Sequence, residues 1–278
     1  MTYTIYSATG CARCNITKKY MRDNAIDYEE FDFKADGKEA FSKFYREKRS
    51  AIFRDKDGVE FPVFTDGTVI RQGVSVIIGY LIAGDDLQGF IGRSELHGEW
   101  LDGIDISGGD PAHAEKLIQV LTYLKESGLK IQAVTSGRNS DVLEALLRKN
   151  LIDRTIVDVK GPVELYESLT GTAIDEDDLK RSIKVASAAP ENGFFTTIAP
   201  ALRSGDKIEY LTPEEVGATA QLIEAASGSK KNPYTLRPFD PKRCGDDRFG
   251  SVEPLPSTAY FKYRTAARRY QVMTEIEK

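Results

Sequence analysis

The sequence holds only three cysteines, two histidines and one tryptophan in 278 residues. Three cysteines cannot build the disulfide framework of a small secreted domain. The two histidines, His97 and His113, are too few for a His-rich metal centre and read as ordinary polar residues. No basic block of five or more residues occurs, and the formal net charge is −5. Nucleic acid and anionic membrane are therefore not default partners. The longest apolar stretch, residues 74–83, is too short to span a bilayer. Residues 1–6 show no charged segment followed by an apolar one, so no secretory signal is read there. The expected compartment is the cytoplasm. What is present is an ordinary globular composition, 41% hydrophobic and 29% charged. That is enough for two domains or one large one.

Residues 2–8 are rich in Tyr, Thr and Ile and alternate weakly, which reads as a strand. A helix is expected over 15–24, a second strand over 28–33 and a charged helix over 37–48. Phe61-Pro-Val-Phe64 and Thr68-Val-Ile-Arg71 flank Asp66-Gly67, a strong hairpin signal. The apolar run 74–83 reads as a closing helix. The order within residues 1–86 is thus β-α-β-α-β-β-α. Glycines at 84, 89, 92 and 98 then break any periodicity, so 87–100 reads as a linker.

A different rhythm follows. Strands are expected over 103–107, 130–135, 155–160, 194–199 and 234–237. Helices are expected between them, over 115–125, 140–148, 175–188 and 213–226. Strand–helix alternation implies a parallel sheet. About five such units are too few for a complete eightfold barrel. Residues 101–256 are taken as this partial barrel. Residues 257–278 read as a C-terminal basic-aromatic helix carrying Arg264, Arg268, Arg269 and Tyr270.

Ser7-Ala-Thr-Gly-Cys11-Ala-Arg-Cys14 stands directly behind the first strand. Cys11 falls at a helix start, where unpaired N–H groups and the helix dipole favour a thiolate. Arg13 adds a positive charge, so a depressed Cys11 pKa is expected. Cys14, one turn along, can resolve a mixed disulfide. Pro62, at the start of a strand and after Phe61, has the setting of a cis-proline beside such a site. A zinc site would need two more ligands, and only His97, His113 and Cys244 remain to supply them. Inert cysteines are the bland alternative.

These features resemble the glutaredoxin and thioredoxin family over residues 1–86. The resemblance implies a thioredoxin fold, with Cys11, Cys14 and Pro62 as the catalytic residues. It places Arg13, Phe61, Gly73 and Ser75 in the groove for a thiol partner. Glutaredoxins usually carry a Gly-Gly-x-Asp-like segment that grips glutathione; here the segment is Arg71-Gln-Gly-Val-Ser75. Glutathione and a thioredoxin-like protein reductant are both open as partners.

Leu101-Asp-Gly-Ile-Asp-Ile-Ser-Gly-Gly-Asp-Pro111 is the second sharp signal. Gly108 and Gly109 at a strand end either let a ligand approach the main chain or make a tight turn. Asp110 could accept a hydrogen bond from an amine. Residues 101–240 resemble the radical SAM barrel, especially the activating enzymes of glycyl radical enzymes and of anaerobic ribonucleotide reductase. The resemblance rests on Gly108-Gly-Asp-Pro111, Val134-Thr-Ser-Gly137, Val157-Asp-Val-Lys160 and Tyr234-Thr-Leu-Arg-Pro-Phe239. It implies S-adenosylmethionine as a ligand, held by Gly108, Gly109, Asp110, Ser136, Asp158 and Lys160.

The family's Cys-x3-Cys-x2-Cys is missing from this half. Ser7-x3-Cys11-x2-Cys14 has that spacing with serine in first place, and a [4Fe–4S] cluster on it is not expected. The fold class is then α/β, a thioredoxin-fold domain followed by a partial (β/α) TIM-like barrel of the radical SAM type. The main expectation is a thiol–disulfide oxidoreductase or electron-transfer protein. Its barrel would bind a protein partner or a nucleoside-like ligand in the service of anaerobic radical enzymes. The alternatives are an active radical SAM activase with a cluster on Cys11 and Cys14, and a non-catalytic scaffold or regulator. Cys244 is a third thiol, a remote cluster ligand or an incidental loop residue.

Overall fold

The computed structural model describes residues 3–56, 58–203, 205 and 207–277. The chain divides into two compact units, Met1–Ile131 and Gln132–Lys278. No helix among the described residues is long and apolar enough to cross a membrane.

The first unit opens with β1 (Tyr3–Ser7), α1 (Ala12–Asp23), β2 (Tyr28–Asp32), α2 (Lys38–Lys48), β3 (Val63–Thr65), β4 (Ile70–Gln72) and α3 (Val74–Ala83). The four strands form one sheet in the order β2-β1-β3-β4. β2 runs parallel to β1, β3 antiparallel to β1, and β4 antiparallel to β3. Successive side chains of a strand face opposite sides. So Ile5 and its register partner Phe64 join Met21 and Ile77 in one apolar layer. Tyr6 and its partner Val63 join Phe41 and Ile52 in the other. The second layer is aromatic: Tyr6 lies 4.6 Å from Phe44 and 5.6 Å from Phe31 between ring centroids.

β5 (Trp100–Asp105) and α4 (Ala114–Glu126) complete this unit. The stretch expected as a linker is part of its core. Leu87, Phe90 and Ser94 are buried. Ile91 forms an antiparallel bridge to Ile104, Gly92 N–H donates to Gly103 O at 2.7 Å, and Asp105 N–H donates to Phe90 O at 2.9 Å. Tyr123 on α4 donates to Ile16 O at 3.1 Å and sets its ring edge-on to Tyr20. The glycines mark turns here, while Leu87, Phe90 and Ile91 between them are apolar enough to be drawn inward.

β6 (Lys130–Thr135) carries the division between the units. Then follow α5 (Ser140–Arg148), β7 (Arg154–Asp158), α6 (Tyr166–Thr170), α7 (Glu176–Ala186), β8 (Glu191–Ile198), β9 (Pro200–Arg203), β10 (Lys207–Tyr210), α8 (Pro213–Ser227), β11 (Tyr234–Pro238), α9 (Tyr260–Ala267) and β12 (Thr274–Ile276). The strand order in this unit is β12-β11-β8-β7-β6. The pairings of β6 with β7, β7 with β8, β8 with β11 and β11 with β12 are all parallel. α7 packs against α5 and α8, and α8 against α9. Caps fix the helix starts. Asp175 accepts from the N–H groups of Asp177 and Asp178, and Thr212 with Glu215 forms a capping box on α8.

One expected helix is corrected. Residues 257–278 do not form a single helix: α9 stops at Ala267 and the chain re-enters the sheet as β12. The cause is tertiary. Gln271 accepts from Asn232 N–H and Nδ2, both at 3.2 Å, and donates to Ser229 O at 2.9 Å. Val272 N–H then donates to Lys230 O at 2.9 Å, which draws the following residues alongside β11. The short hairpin of β9 and β10 and the one-turn helix α6 were also not foreseen.

Candidate functional site

The loop between β1 and α1 is held from below by two acids of β2. Ser7 Oγ donates to Glu30 Oε1 at 2.5 Å. Thr9 donates to Asp32 from its N–H at 2.9 Å and from its hydroxyl at 2.6 Å. That hydroxyl bond is the main reason the Asp32 carboxyl titrates below its usual range. Gly10 takes φ +82°, a left-handed turn that glycine adopts at no steric cost, and Cys11 follows as the N-cap of α1.

Cys11 Sγ accepts the N–H of Cys14 at 3.0 Å, and the two cysteines form a disulfide. Cys11 is half-buried, whereas Cys14 is 1% exposed. Only Cys11 can therefore meet an incoming sulfur, with Cys14 directly behind it. Phe61 O lies 3.7 Å from Cys11 Sγ, and the Phe61–Pro62 peptide is cis. The Phe61 ring is anchored on Phe41 and Phe33, at 5.0 and 5.6 Å between centroids.

Three residues expected in the open groove are otherwise engaged. Arg13 is 9% exposed; its guanidinium donates to Glu60 Oε1 at 3.0 Å, to Leu96 O at 2.6 Å and to Trp100 O at 2.7 Å. Its charge is thus paired with Glu60 and is not a free cation for the thiolate. Gly73 is buried, takes φ +92° as the N-cap of α3 and donates to Pro62 O at 3.0 Å. Ser75, in the first turn of α3, is 2% exposed. Burial pushes the Glu60 carboxyl up, and Arg13 opposes the shift. Glu60 was not singled out from the sequence; its place immediately before Phe61-Pro62 was the available signal.

Gly108 and Gly109 meet their own chain. A Cβ on Gly109 would fall 2.1 Å from Cγ of the fully buried Phe90. A Cβ on Gly108 would fall 2.6 Å from Gly89 O. Asp110 is exposed, and its carboxylate accepts from Ala112 N–H at 2.9 Å as the cap of a 3-10 turn. The close approach that the two glycines permit on their Cβ side is taken by residues 89 and 90.

Ser7, Cys11 and Cys14, which carry the cluster-like spacing, are engaged within the chain. The serine hydroxyl is held by Glu30, and the two sulfurs are bonded to each other. No group of three or more His, Cys, Asp or Glu placed to hold a metal occurs among the described residues.

In the second unit, Asp158 and Lys160 come together at the C-terminal end of β7. Lys160 Nζ pairs with Asp158 Oδ2. Asp158 Oδ1 is buried and has no hydrogen-bond partner among the described residues. Burial raises the Asp158 pKa, with Lys160 and then Arg237 opposing. Tyr166 hydroxyl accepts Lys160 N–H at 3.2 Å, and Tyr234 donates to Thr196 Oγ1 at 2.7 Å. Burial pushes both phenols above their ordinary range. The Arg237 guanidinium stacks 3.6 Å over the Phe195 ring. A dry carboxylate oxygen without a donor is what a hydroxyl or ammonium ligand would satisfy. Ser136 lies one residue beyond the end of β6. Cys244 sits in a loop, half-buried, with its Sγ 3.7 Å from Asp246 O.

No protein-family model matches the chain. It is homologous over 161 residues, at 27% identity, to a Methanocaldococcus jannaschii protein provisionally named a glycyl-radical enzyme activating enzyme. The aligned region covers 56% of this chain and 61% of that relative, less than two thirds of its length. A solved domain of a pyruvate-formate lyase-activating enzyme from Bacteroides vulgatus aligns with 63% of this chain and 98% of its own, at 12% identity. Its TM-score of 0.44 is too low to argue from.

Proposed function

We propose that this chain serves the activation of a glycyl radical enzyme and that its own chemistry is dithiol–disulfide exchange on a thioredoxin-type scaffold. The homology to an activating enzyme supports the first part. The second part is carried by one observation: a Cys11–Cys14 pair at a helix N-terminus with only Cys11 reachable. The sheet order β2-β1-β3-β4 around it agrees with the family the motif resembles.

In the reduced state the Cys11 thiolate attacks one sulfur of a partner disulfide and releases the other as a thiolate. Cys14 then attacks Cys11 Sγ, which frees the second partner thiol and closes the internal disulfide. The N–H of Cys14 and the dipole of α1 stabilise the attacking thiolate. The test is reduction of a protein disulfide by the pre-reduced full chain. Turnover is expected in the natural sequence and none in Cys11→Ser. An alkylation-rate profile should place the Cys11 pKa below the free-thiol value of ~8.5.

The homology also favours a second reading, a radical SAM activase that acquires a cluster through Cys11 and Cys14. Purification and reconstitution without oxygen, followed by iron analysis, decides between them. About four irons per chain, lost on mutating both cysteines, would establish the second reading.

A further inference from the structure

We propose that the groove between β12 and α9 is a docking site for a partner protein, and that it takes an extended segment with acidic side chains as an added strand. The inference rests on the reading that this chain serves a protein partner and is independent of the dithiol chemistry.

One wall of the groove is the open edge of the sheet. β12 ends the sheet beside β11. Three consecutive residues of this edge, Glu275, Ile276 and Glu277, line the groove. Successive side chains of a strand face opposite sides, so a wall made of neighbours in sequence is the backbone edge itself. Glu277 N–H donates to Leu236 O at 2.9 Å, and Leu236 is the register partner of Ile276. In such a parallel ladder the residue between two bonded ones turns its own N–H and C=O the other way. Ile276 therefore presents both groups on the open edge, and neither has a partner among the described residues. Thr274, the other outward-facing residue, is closed by the chain. Its N–H donates to Gln271 O at 3.1 Å, and its carbonyl accepts from Arg268 Nε at 3.1 Å.

The other wall is one face of α9 and its C-cap: Phe261, Arg264 and Arg268. The two walls are matched in length, since the helix from Phe261 to Arg268 and the strand β12 each span about 10 Å.

Charge and polarity name the occupant. Arg264 stacks 5.3 Å from the Phe261 ring centroid, and Arg268 holds Thr274 O; neither has an ion pair among the described residues. Glu277 is already paired with Arg237 at 3.0 Å. Glu275 is left as the unpaired carboxylate against two guanidinium groups, so the groove favours an anion. Phe261 is 54% exposed, and Val272 and Met273, which lead into β12, are 50% and 52% exposed. An extended chain with acidic and apolar side chains meets all of these. Its backbone exchanges hydrogen bonds with Ile276, its carboxylates reach the arginines and its apolar side chains cover Phe261. A second copy fits less well. A two-fold contact repeats the same patch on both sides and would set four guanidinium groups against two free carboxylates. A phosphate backbone brings the charge but has no N–H for Ile276 O.

The experiment measures fluorescence anisotropy of a labelled, end-capped peptide, Val-Thr-Glu-Thr-Glu-Thr-Val, with the full chain at low salt. The peptide reads alike in both directions, so strand polarity does not decide the outcome. It should bind, and Arg264→Glu should weaken it about tenfold or more, with Arg264→Gln between the two. The counterpart with lysine for glutamate should bind Arg264→Glu and not the natural sequence. N-methylation of alternate peptide nitrogens should abolish binding in one of the two possible sets, because one set faces β12. Equal binding of the glutamate and lysine peptides, or of every N-methylated form, overturns the proposal. So does a natural chain that sediments as a dimer and is dissociated by Arg264→Glu, which would seat a second copy in the groove. Binding to single-stranded DNA without binding to the acidic peptide overturns it too. Absence of dithiol exchange with peptide binding intact would break the dithiol reading and leave this one standing.

Discussion

In the first unit, the residues with the most ligand-directed appearance are engaged by the chain itself. In the second, a buried carboxylate oxygen is left without a partner. Gly109 stands against Phe90, Gly108 against Gly89, and Arg13 is tied to Glu60 and two carbonyls. Asp158 has a lysine on one oxygen and nothing on the other among the described residues. A closed constellation signals packing, and an unsatisfied buried acceptor signals a binding role. The glycine pair is the sharper motif on paper, yet it is Asp158 that keeps a buried oxygen without a partner among the described residues.

Cys11→Ser should abolish exchange altogether, whereas Cys14→Ser should trap a mixed disulfide visible on a non-reducing gel. Equal, partial losses in the two variants would mean that neither sulfur leads, against their unequal exposure.

The closed state of the glycine turn is the next target. Gly109→Ala should cost about 1–3 kcal/mol, because its methyl collides with the Phe90 ring. Thermal denaturation of Gly109→Ala, Phe90→Ala and the double variant should show a coupling of about 0.5–3 kcal/mol, the second change relieving the first. Additive effects, or a Gly109→Ala protein as stable as its parent, would reopen the turn for a ligand.

Asp158 tests the open side, with a smaller effect. Its folded pKa is raised by burial. Between the ordinary value of 3.8 and the raised one, the folded state binds more protons than the unfolded state. That contribution to stability is fully present at low pH and falls as pH rises through the window. Asp158→Asn should flatten this part of the melting-temperature profile. A profile identical to that of the parent would mean that the carboxyl is solvated after all. Glu60 is also raised by burial, so Glu60→Gln should flatten the profile in the same direction but less, since its burial is shallower.

Much of the architecture was legible. The helices over 74–83 and 140–148 were bounded to the residue, because an apolar face with clear flanking breaks is a local signal. The strand over 130–135 was as clear. The C-terminal segment was not. Residues 268–273 carry no strong strand signal, and β12 exists because Gln271 binds Asn232, thirty-nine positions away. The stretch 87–100 was misleading for a related reason. Its glycines are turn signals, but periodicity cannot show that Ile91 will find Ile104. The cysteine pair was legible as two sulfurs one turn apart at a helix start. Its surroundings were not, since Glu60 becomes conspicuous only where Arg13 and Gly73 meet it.

By itself, the sequence determined the alternation of strands and helices, the cysteine pair at a helix start and the absence of further paired thiols. These are local matters of periodicity, capping and count. Tertiary structure alone decided what stands beside each permissive residue. A glycine in the sequence records that something comes close. Whether that something is a ligand or the ring of Phe90 depends on a contact nineteen positions away in the chain, which no local pattern encodes.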